Sequence, residues 1–432
     1  MLFEINNYKG LNHEAAGFVK VKVPGSKSIT NRAILLASLA EGSSLIKNVL
    51  FSEDSAWMIK ICRQLGAKIE EGSDGSLFIE GCGGRFKRCS EDLYVGNSGI
   101  CARFLSAALV RGEGEYVLRG NARMQERPME DLIHSLREWG VKVESLGKKG
   151  YLPLRIHSKP NFSASKLYLN GSVSSQFLSA LMILSAFSET DVEIEVVNEL
   201  VSSSYVAMTA HMMKDFGVEV EQSSAVRFFL KKSQCYRGRE YTVPTDASSA
   251  SYFFALAAIT GIHVVVDNLE ELPLQSDLNF VHLLSSMGAE VIFDKNSVRV
   301  KAGTQTLKGL GRVDMSDMSD MVPTLAVVAL FAKGSTEIRN VSHIRGKECD
   351  RIHALSCELK KLGAKITVFP DGLKIDPPSF VLHQDLTIKT YDDHRIAMAF
   401  AILSKRFPGI KLEDPSCVSK TFPNFFEELG RF

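Results

Sequence analysis

Two textures of hydrophobic and polar residues alternate along the chain. In the first, an apolar residue and a glycine lead into a strand-like in-and-out alternation: QLGAKIEE at Gly66, EWGVKVES at Gly140, DFGVEVEQ at Gly217, SMGAEVIF at Gly288 and KLGAKITV at Gly363. Successive glycines stand 74, 77, 71 and 75 residues apart, a regularity that marks internal repetition. In the second, an Ala/Leu-rich stretch runs through a turn into a β-branched segment: ILLASLAEGSSLIKNV, FLSAALVRGEGEYVLRG, LMILSAFSETDVEIEVVN, FFALAAITGIHVVVDNL, LAVVALFAKGSTEIRNV and MAFAILSKRFPGIKLED. Six copies in 432 residues give about 72 residues per unit.

Each unit therefore predicts helix, strand, helix, strand. A glycine directly after a helix suits a left-handed residue that closes the last turn. The ASLA, SAAL, LSAL, ALAA, AVVAL and AFAI stretches are small and apolar on most sides, so these helices are expected to be buried, not amphipathic. Helices enclosed by sheets make an inside-out α/β barrel. An open α-solenoid is the other architecture such a repeat allows, and strands such as VEIEVV and HVVVDN oppose it. The polar stretch RGREYTVPTD at residues 237–246 interrupts the chain halfway, favouring two groups of three units over one ring of six.

Composition narrows the function classes. The chain is too long for one ordinary core, and its 45% hydrophobic and 23% charged residues are those of an average globular protein. A formal net charge of +1 gives no support to a nucleic-acid or anionic-membrane role, so any anion site must come from local clustering. No apolar run approaches a bilayer span, and the start, MLFEINNYKG, lacks the layout of a signal peptide. Eight cysteines without a CxxC pair point to reduced thiols and away from a zinc site. The expectation is a cytosolic, soluble, two-domain protein.

Against this neutral background several segments collect Lys, Arg, Ser and Gly. VPGSKSITNRA offers backbone N–H groups, hydroxyls and the cations Lys27 and Arg32 at a helix start, a fit place for an anion. It lacks the GxxxxGK spacing of a P-loop, and a serine-capped helix with a solvated lysine explains it as well. GNSGICARF places Gly96, Asn97 and Gly99 before Arg103; the glycines let backbone approach a ligand, or simply link a strand to a helix. RMQERPM sets Arg123 and Arg127 four apart, which also fits an exposed helix N-terminus with an early Pro128. NGSVSSQF clusters Ser174, Ser175 and Gln176, good N-cap chemistry and equally good polyol or phosphate chemistry. LVSSSY supplies Ser202 and Tyr205 in a similar loop.

IRGKECDRI holds Arg345, Lys347, Glu348, Asp350 and Arg351, a run that usually forms a solvated helix face with internal ion pairs. YDDHRIAMAF sets Asp392, Asp393, His394 and Arg395 directly before a buried helix, SKTFPNF brings Lys420, and Asp320 stands before VPTLAVVALF. Most of these clusters precede a small-residue helix, so their helix N-termini are expected to converge. Lys27, Arg32, Arg103, Arg127, Lys347, Arg351, Arg395 and Lys420 form a local excess of cations that implies small, highly anionic substrates between two domains.

PGSKSITNR, GNSGICAR, RMQERPM, GSVSSQF, DASSASYF, IRGKECDR, YDDHRIAMAF and KTFPNFFEEL, in this order over nearly the whole chain, closely resemble the 5-enolpyruvylshikimate-3-phosphate synthase family. The resemblance implies two domains of three βαβαββ units each, residues 1–23 with 244–432 and residues 24–243, with the active site in the cleft between them. It implies transfer of the enolpyruvyl group of phosphoenolpyruvate to the 5-hydroxyl of shikimate 3-phosphate, with no metal or organic cofactor. It further implies that Lys27, Ser28, Arg32, Ser174, Ser175, Gln176, Ser202, Tyr205, Asp320, His343 and Lys347 bind shikimate 3-phosphate. Lys27, Gly99, Arg127, Gln176, Arg351, Arg395 and Lys420 match the phosphoenolpyruvate set. Asp320 and Glu348 match the acidic residues of proton transfer, with Lys27 assisting. A cytosolic monomer acting on small molecules, without nucleic-acid or membrane partners, is expected.

The chain departs from the family pattern at three positions. Ile100 stands where Thr is common, Phe104 where Pro is common and His343 where many members carry Asn. Ile100 and Phe104 are expected to shift the Gly99 backbone, narrow the phosphoenolpyruvate pocket and weaken inhibition by the bulkier glyphosate. UDP-N-acetylglucosamine enolpyruvyl transferase is the nearest rival; it needs a reactive loop cysteine, for which only Cys82, Cys89 or Cys101 could be proposed, and the SSQ cluster and PGSKSITNR oppose it. RNA 3′-phosphate cyclase lacks support from charge. A non-catalytic binder would be expected to lose Asp320, Glu348 or several arginines, and all are present.

Overall fold

The computed structural model describes residues 2–4, 17–269, 274–378 and 385–432. Its contacts divide the chain into two compact units, one of residues 25–243 and the other of residues 1–24 and 244–432.

In the unit of residues 25–243, α1 (Lys27–Leu39), α3 (Gly99–Ala108) and α5 (Ser175–Ser185) are buried along nearly their whole length. These are the small-residue helices of the repeat, apolar on all sides because every side meets protein. They alternate with α2 (Glu53–Gln64), α4 (Glu130–Glu138) and α6 (Ser203–Asp215), which bury one face each. α3 packs on α5, α5 on α6, and α1 on α2, α3 and α6.

The other unit repeats the scheme. α7 (Ala247–Thr260), α9 (Val322–Ala329) and α11 (His394–Ala401) are buried throughout or nearly so. α8 (Phe280–Met287) and α10 (Arg351–Lys361) bury one side, and α12 (Phe425–Gly430) ends the series. α9 packs against both α7 and α11, and these three helices supply much of the apolar core.

Each described four-stranded sheet has one parallel and two antiparallel pairings. In one, Lys166–Asn170 runs parallel to Val192–Val197, which pairs antiparallel with Arg227–Leu230, itself antiparallel to Glu221–Ser224. Val192, Ile194 and Val196 face inward while Glu193 and Glu195 face out, the two-residue period of a half-buried strand. Two strands complete sheets far from their sequence neighbours. Glu240–Thr242 lies parallel to Ser43–Lys47, and Val19–Val21 lies parallel to Val264–Val266 within Val264–Asp267. The unit of residues 1–24 and 244–432 is discontinuous for this reason.

All five glycines of the first texture close a helix with a left-handed backbone, φ running from 76° at Gly140 to 114° at Gly288. The expected helix ends are therefore where the sequence puts them.

Candidate active site

In the unit of residues 25–243 most of the predicted residues and their partners lie at or near the starts of α1, α2, α3, α5 and α6. Lys27 and Ser28 open α1, behind Ser26, which occupies the cap position without bonding through its side chain. Lys27 Nζ lies 3.7 Å from Asp54 Oδ2, and Asp54 sits in the first turn of α2 beneath a Ser52–Ser55 capping box. Arg32, one turn into α1, is 1% exposed. Its Nε donates to Thr209 Oγ1 at 2.8 Å, one Nη to the Ser28 carbonyl at 3.0 Å and the other to the Tyr205 carbonyl at 3.3 Å. The Phe104 ring centre lies 5.0 Å from Arg32 Cζ, and that of Tyr205 lies 6.0 Å away. Burial lowers the pKa of this guanidinium to about 10.

Gly99 is the first residue of α3, and its missing side chain is filled by the protein itself. A Cβ there would press into Arg103 Nη1 and lie 2.6 Å from Arg127 Nη2. The close approach the sequence suggests for a ligand is thus made, in this structure, by two guanidinium groups. Arg127 donates to the Asn97 carbonyl at 3.1 Å, and Arg103 to the Pro128 carbonyl at 3.1 Å while lying 5.8 Å from the Phe177 ring at the start of α5. Ile100 and Phe104 are buried in the helical interior.

The remaining predicted residues of this unit start helices. Ser174 caps α5, accepting from Gln176 N at 3.3 Å, so the N-cap reading of NGSVSSQF holds for Ser174. Ser175 is buried, and Gln176 is half-buried. Ser202 takes a left-handed backbone with φ 52° ahead of α6 and makes no side-chain cap bond. Tyr205 lies inside α6, not in a loop, and its carbonyl receives Arg32. RMQERPM also differs from expectation. Met124–Glu126 is a 3₁₀ turn and α4 begins only at Glu130, so Arg127 is buried and not part of an exposed helix start. Arg123 follows the plainer reading and pairs with Glu126 at 2.7 Å on the surface.

The other unit centres on Arg351, the first residue of α10, which is 1% exposed. Its Nη1 lies 2.9 Å from Asp320 Oδ1, Nη2 lies 3.0 Å from Glu348 Oε2, and Nε lies 2.8 Å from Asp393 Oδ2. Asp320 sits on a 3₁₀ turn before α9 and also takes Arg395 Nη2 at 2.7 Å and Lys347 Nζ at 3.6 Å. Lys420 Nζ lies 3.1 Å from Glu348 Oε1. Asp393 caps α11, accepting from Arg395 N at 2.9 Å, after two left-handed residues, Tyr391 and Asp392. Burial alone would lower the Arg351 pKa, but Asp393, Glu348 and Asp320 together raise it.

IRGKECDRI thus divides in two. Arg345 and Asp350 form the peripheral pair its charge run suggests, at 2.8 Å, whereas Glu348 and Arg351 turn inward. His343 is half-buried beside Lys347, and burial lowers its pKa to about 4. Among the described residues no group of three His, Cys, Asp or Glu side chains is arranged to hold a metal ion, and no helix is long and apolar enough to cross a membrane.

The profile of the family described as EPSP synthase (3-phosphoshikimate 1-carboxyvinyltransferase) matches residues 17–429. A 3-phosphoshikimate 1-carboxyvinyltransferase of Trichormus variabilis is 44% identical over 94% of this chain and 94% of its own length. The chain belongs to the EPSP synthase family. An EPSP synthase structure from Acinetobacter baumannii superposes with a TM-score of 0.79 at 28% identity, over 96% of this chain and 95% of that one. The enolpyruvyl transferase NikO of Streptomyces tendae, 16% identical, shares the α/β fold with a TM-score of 0.77 over 96% of this chain and 94% of its own.

Within this EPSP synthase family member, three network residues escaped the site prediction. Asp54 reads as an ordinary acid in a helix first turn, and Thr209 as an ordinary mid-helix threonine. Asp393 had a signal, four polar residues ahead of an apolar helix, but nothing in its neighbours tells a cap from a buried counter-ion.

Proposed function

We propose that the chain transfers the enolpyruvyl group of phosphoenolpyruvate to the 5-hydroxyl of shikimate 3-phosphate and releases phosphate. The observation that carries this reading is Arg32, a 1% exposed cation that bonds only neutral acceptors, with no carboxylate in salt-bridge reach among the described residues. An unpaired buried charge is costly, and an anionic substrate would complete it. Family membership directs the choice of that anion to shikimate 3-phosphate.

Lys27, Ser28, Arg32, Ser174, Ser175, Gln176, Ser202, Tyr205, Asp320, His343 and Lys347 are assigned to shikimate 3-phosphate. Lys27, Gly99, Arg127, Gln176, Arg351, Arg395 and Lys420 are assigned to phosphoenolpyruvate. The domains of residues 1–23 with 244–432 and of residues 24–243, each an inside-out barrel of three βαβαββ units, belong to the same proposal. So do a monomeric state and a cytoplasmic location.

Fixed guanidinium and ammonium groups offset the repulsion between two substrates that each carry a carboxylate and a phosphate. Asp320 accepts bonds from cations on both oxygens and serves as the base that takes the 5-hydroxyl proton. The freed oxygen bonds to C2 of phosphoenolpyruvate while C3 gains a proton, giving a tetrahedral intermediate. Glu348 delivers that proton. Its oxygens also accept from Arg351 and from Lys420 at 3.1 Å, so Lys420 is the adjacent group that supplies the proton it delivers, with Lys27 assisting in proton transfer. C3 then returns a proton to the Glu348 carboxylate, and cleavage of the C2–O bond to the phosphate group expels phosphate.

Purified protein with both substrates should release phosphate and form the enolpyruvyl product by mass, and a Glu348→Gln variant should slow this by about a hundredfold or more. Phosphate release only when UDP-N-acetylglucosamine replaces shikimate 3-phosphate would overturn the assignment in favour of the rival transferase.

A further inference from the structure

Arg32 has five N–H donors and spends three on neutral acceptors, which leaves two N–H directions for a ligand. A guanidinium used this way must be oriented before the ligand arrives, because an arginine side chain carries much rotamer freedom. The α1 carbonyl of Ser28 and the α6 pair of Thr209 and the Tyr205 carbonyl fix the inner edge of the group. The third element is α3, and it reaches Arg32 through the Phe104 ring, whose centre is 5.0 Å from Cζ.

Resting on the assignment of Arg32 to shikimate 3-phosphate, we infer that Phe104 is a positioning residue: its ring holds the Arg32 guanidinium aligned for the anionic substrate. A ring face attracts a cation electrostatically, and the attraction strengthens where water is excluded, as it is for Arg32 and Phe104, both 1% exposed. Burial lowers the Arg32 pKa to about 10 while no carboxylate among the described residues offsets the charge, so the ring is the principal side-chain partner of this cation from α3. Tyr205 sits farther off, with its ring centre at 6.0 Å, and already serves through its carbonyl. A proline at position 104, common in the family, has no ring face to offer. The restraint therefore comes with the residue this chain carries. Phe104 acts on the shikimate 3-phosphate side through Arg32, five residues along the helix from the Gly99 that faces Arg103 and Arg127.

Calorimetric titration of the full chain with shikimate 3-phosphate alone tests this, alongside KM for each substrate and the urea midpoint. Phe104→Leu keeps an apolar side chain of similar reach and removes the ring; shikimate 3-phosphate should bind about tenfold more weakly. KM for phosphoenolpyruvate should move less than twofold, and Phe104→Tyr should restore affinity. Replacing Phe104 by mono-, di- and pentafluorophenylalanine keeps the shape while draining the ring face, so affinity should fall stepwise with fluorination. An affinity indifferent to fluorination, or a Leu variant that weakens both substrates equally in step with lost stability, would reduce Phe104 to core filling and overturn the inference. Arg32→Met separates this from the underlying assignment. If that variant binds shikimate 3-phosphate as well as the parent, the assignment of Arg32 fails, and the inference with it, whatever the Phe104 series does.

Discussion

Arg351 and Arg32 are equally buried, one in each unit, and the protein treats their charges in opposite ways. Arg351 meets three carboxylates, and its pKa is raised despite burial. Arg32 meets carbonyls, a hydroxyl and two rings, and its pKa is lowered. The first is a structural keystone: Asp320, Glu348 and Asp393 come from three separate segments and are held in register by one guanidinium. The second is a charge left for something outside the chain to complete. Burial by itself points to a missing anion only when the protein has not already neutralised the charge; the assignment of Arg351 to phosphoenolpyruvate rests on the family resemblance instead.

The largest expected effect breaks the comparison at its structural end. Arg351→Met leaves two buried carboxylates, Glu348 and Asp393, and the half-buried Asp320 without their shared partner and should lower stability by about 3–5 kcal/mol, read from the urea midpoint. Arg32→Met removes an unpaired buried charge along with three hydrogen bonds, and these partly cancel, so the same measurement should move by about 1 kcal/mol or less. Equal losses in the two variants would show that Arg32 is compensated after all. Gly99→Ala comes next. Its Cβ would push the ends of Arg103 and Arg127, flexible groups that can yield, so the fold should survive while the site shifts. KM for phosphoenolpyruvate should rise about tenfold, equivalent to about 1.4 kcal/mol, with a smaller change for shikimate 3-phosphate. An unchanged KM would free Gly99 and Arg127 from the phosphoenolpyruvate assignment.

Much of the architecture was legible because its signals are local. Glycine at a helix end, small residues on a helix buried on all sides and alternation in a strand each act within a few residues, and all recur six or nearly six times. The exchange of strands was not legible: Glu240–Thr242 pairs with Ser43–Lys47 across the length of a unit, and no neighbour of either strand records the partner. The cations of the site stood out for the same local reason, clustered beside serines and glycines. Their counter-ions did not. Asp54 and Asp393 look like capping acids in sequence, and Asp393 is one, with the Arg395 N–H at 2.9 Å, yet it also binds Arg351. Whether an acid near a helix start faces water or a buried arginine is decided by packing from elsewhere in the chain. Gly99 taught the converse, since the space its sequence context reserves is taken by the protein's own arginines.

The smallest effect sharpens the comparison inside the unit that holds Arg351, where one titratable group stays neutral among charges. Burial, reinforced by Lys347 and opposed by Asp320, lowers the His343 pKa from 6.5 to about 4. The unfolded chain takes up a proton at this ring from pH 6.5 downward, and the folded chain only near pH 4. Between those values acid favours the unfolded state, so the ring's contribution to stability is fully present above that window and is lost as pH falls through it. His343→Asn removes the titration. The parent should lose more stability than the variant between pH 7 and pH 5, by on the order of 1 kcal/mol after allowing for the ring's partial exposure. Parallel curves of urea midpoint against pH for the two proteins would mean that the ring is solvated enough to titrate normally. The imidazole would then enter the site as a cation at mildly acidic pH, adding to Lys347 and weakening the contrast between a compensated unit and an uncompensated one.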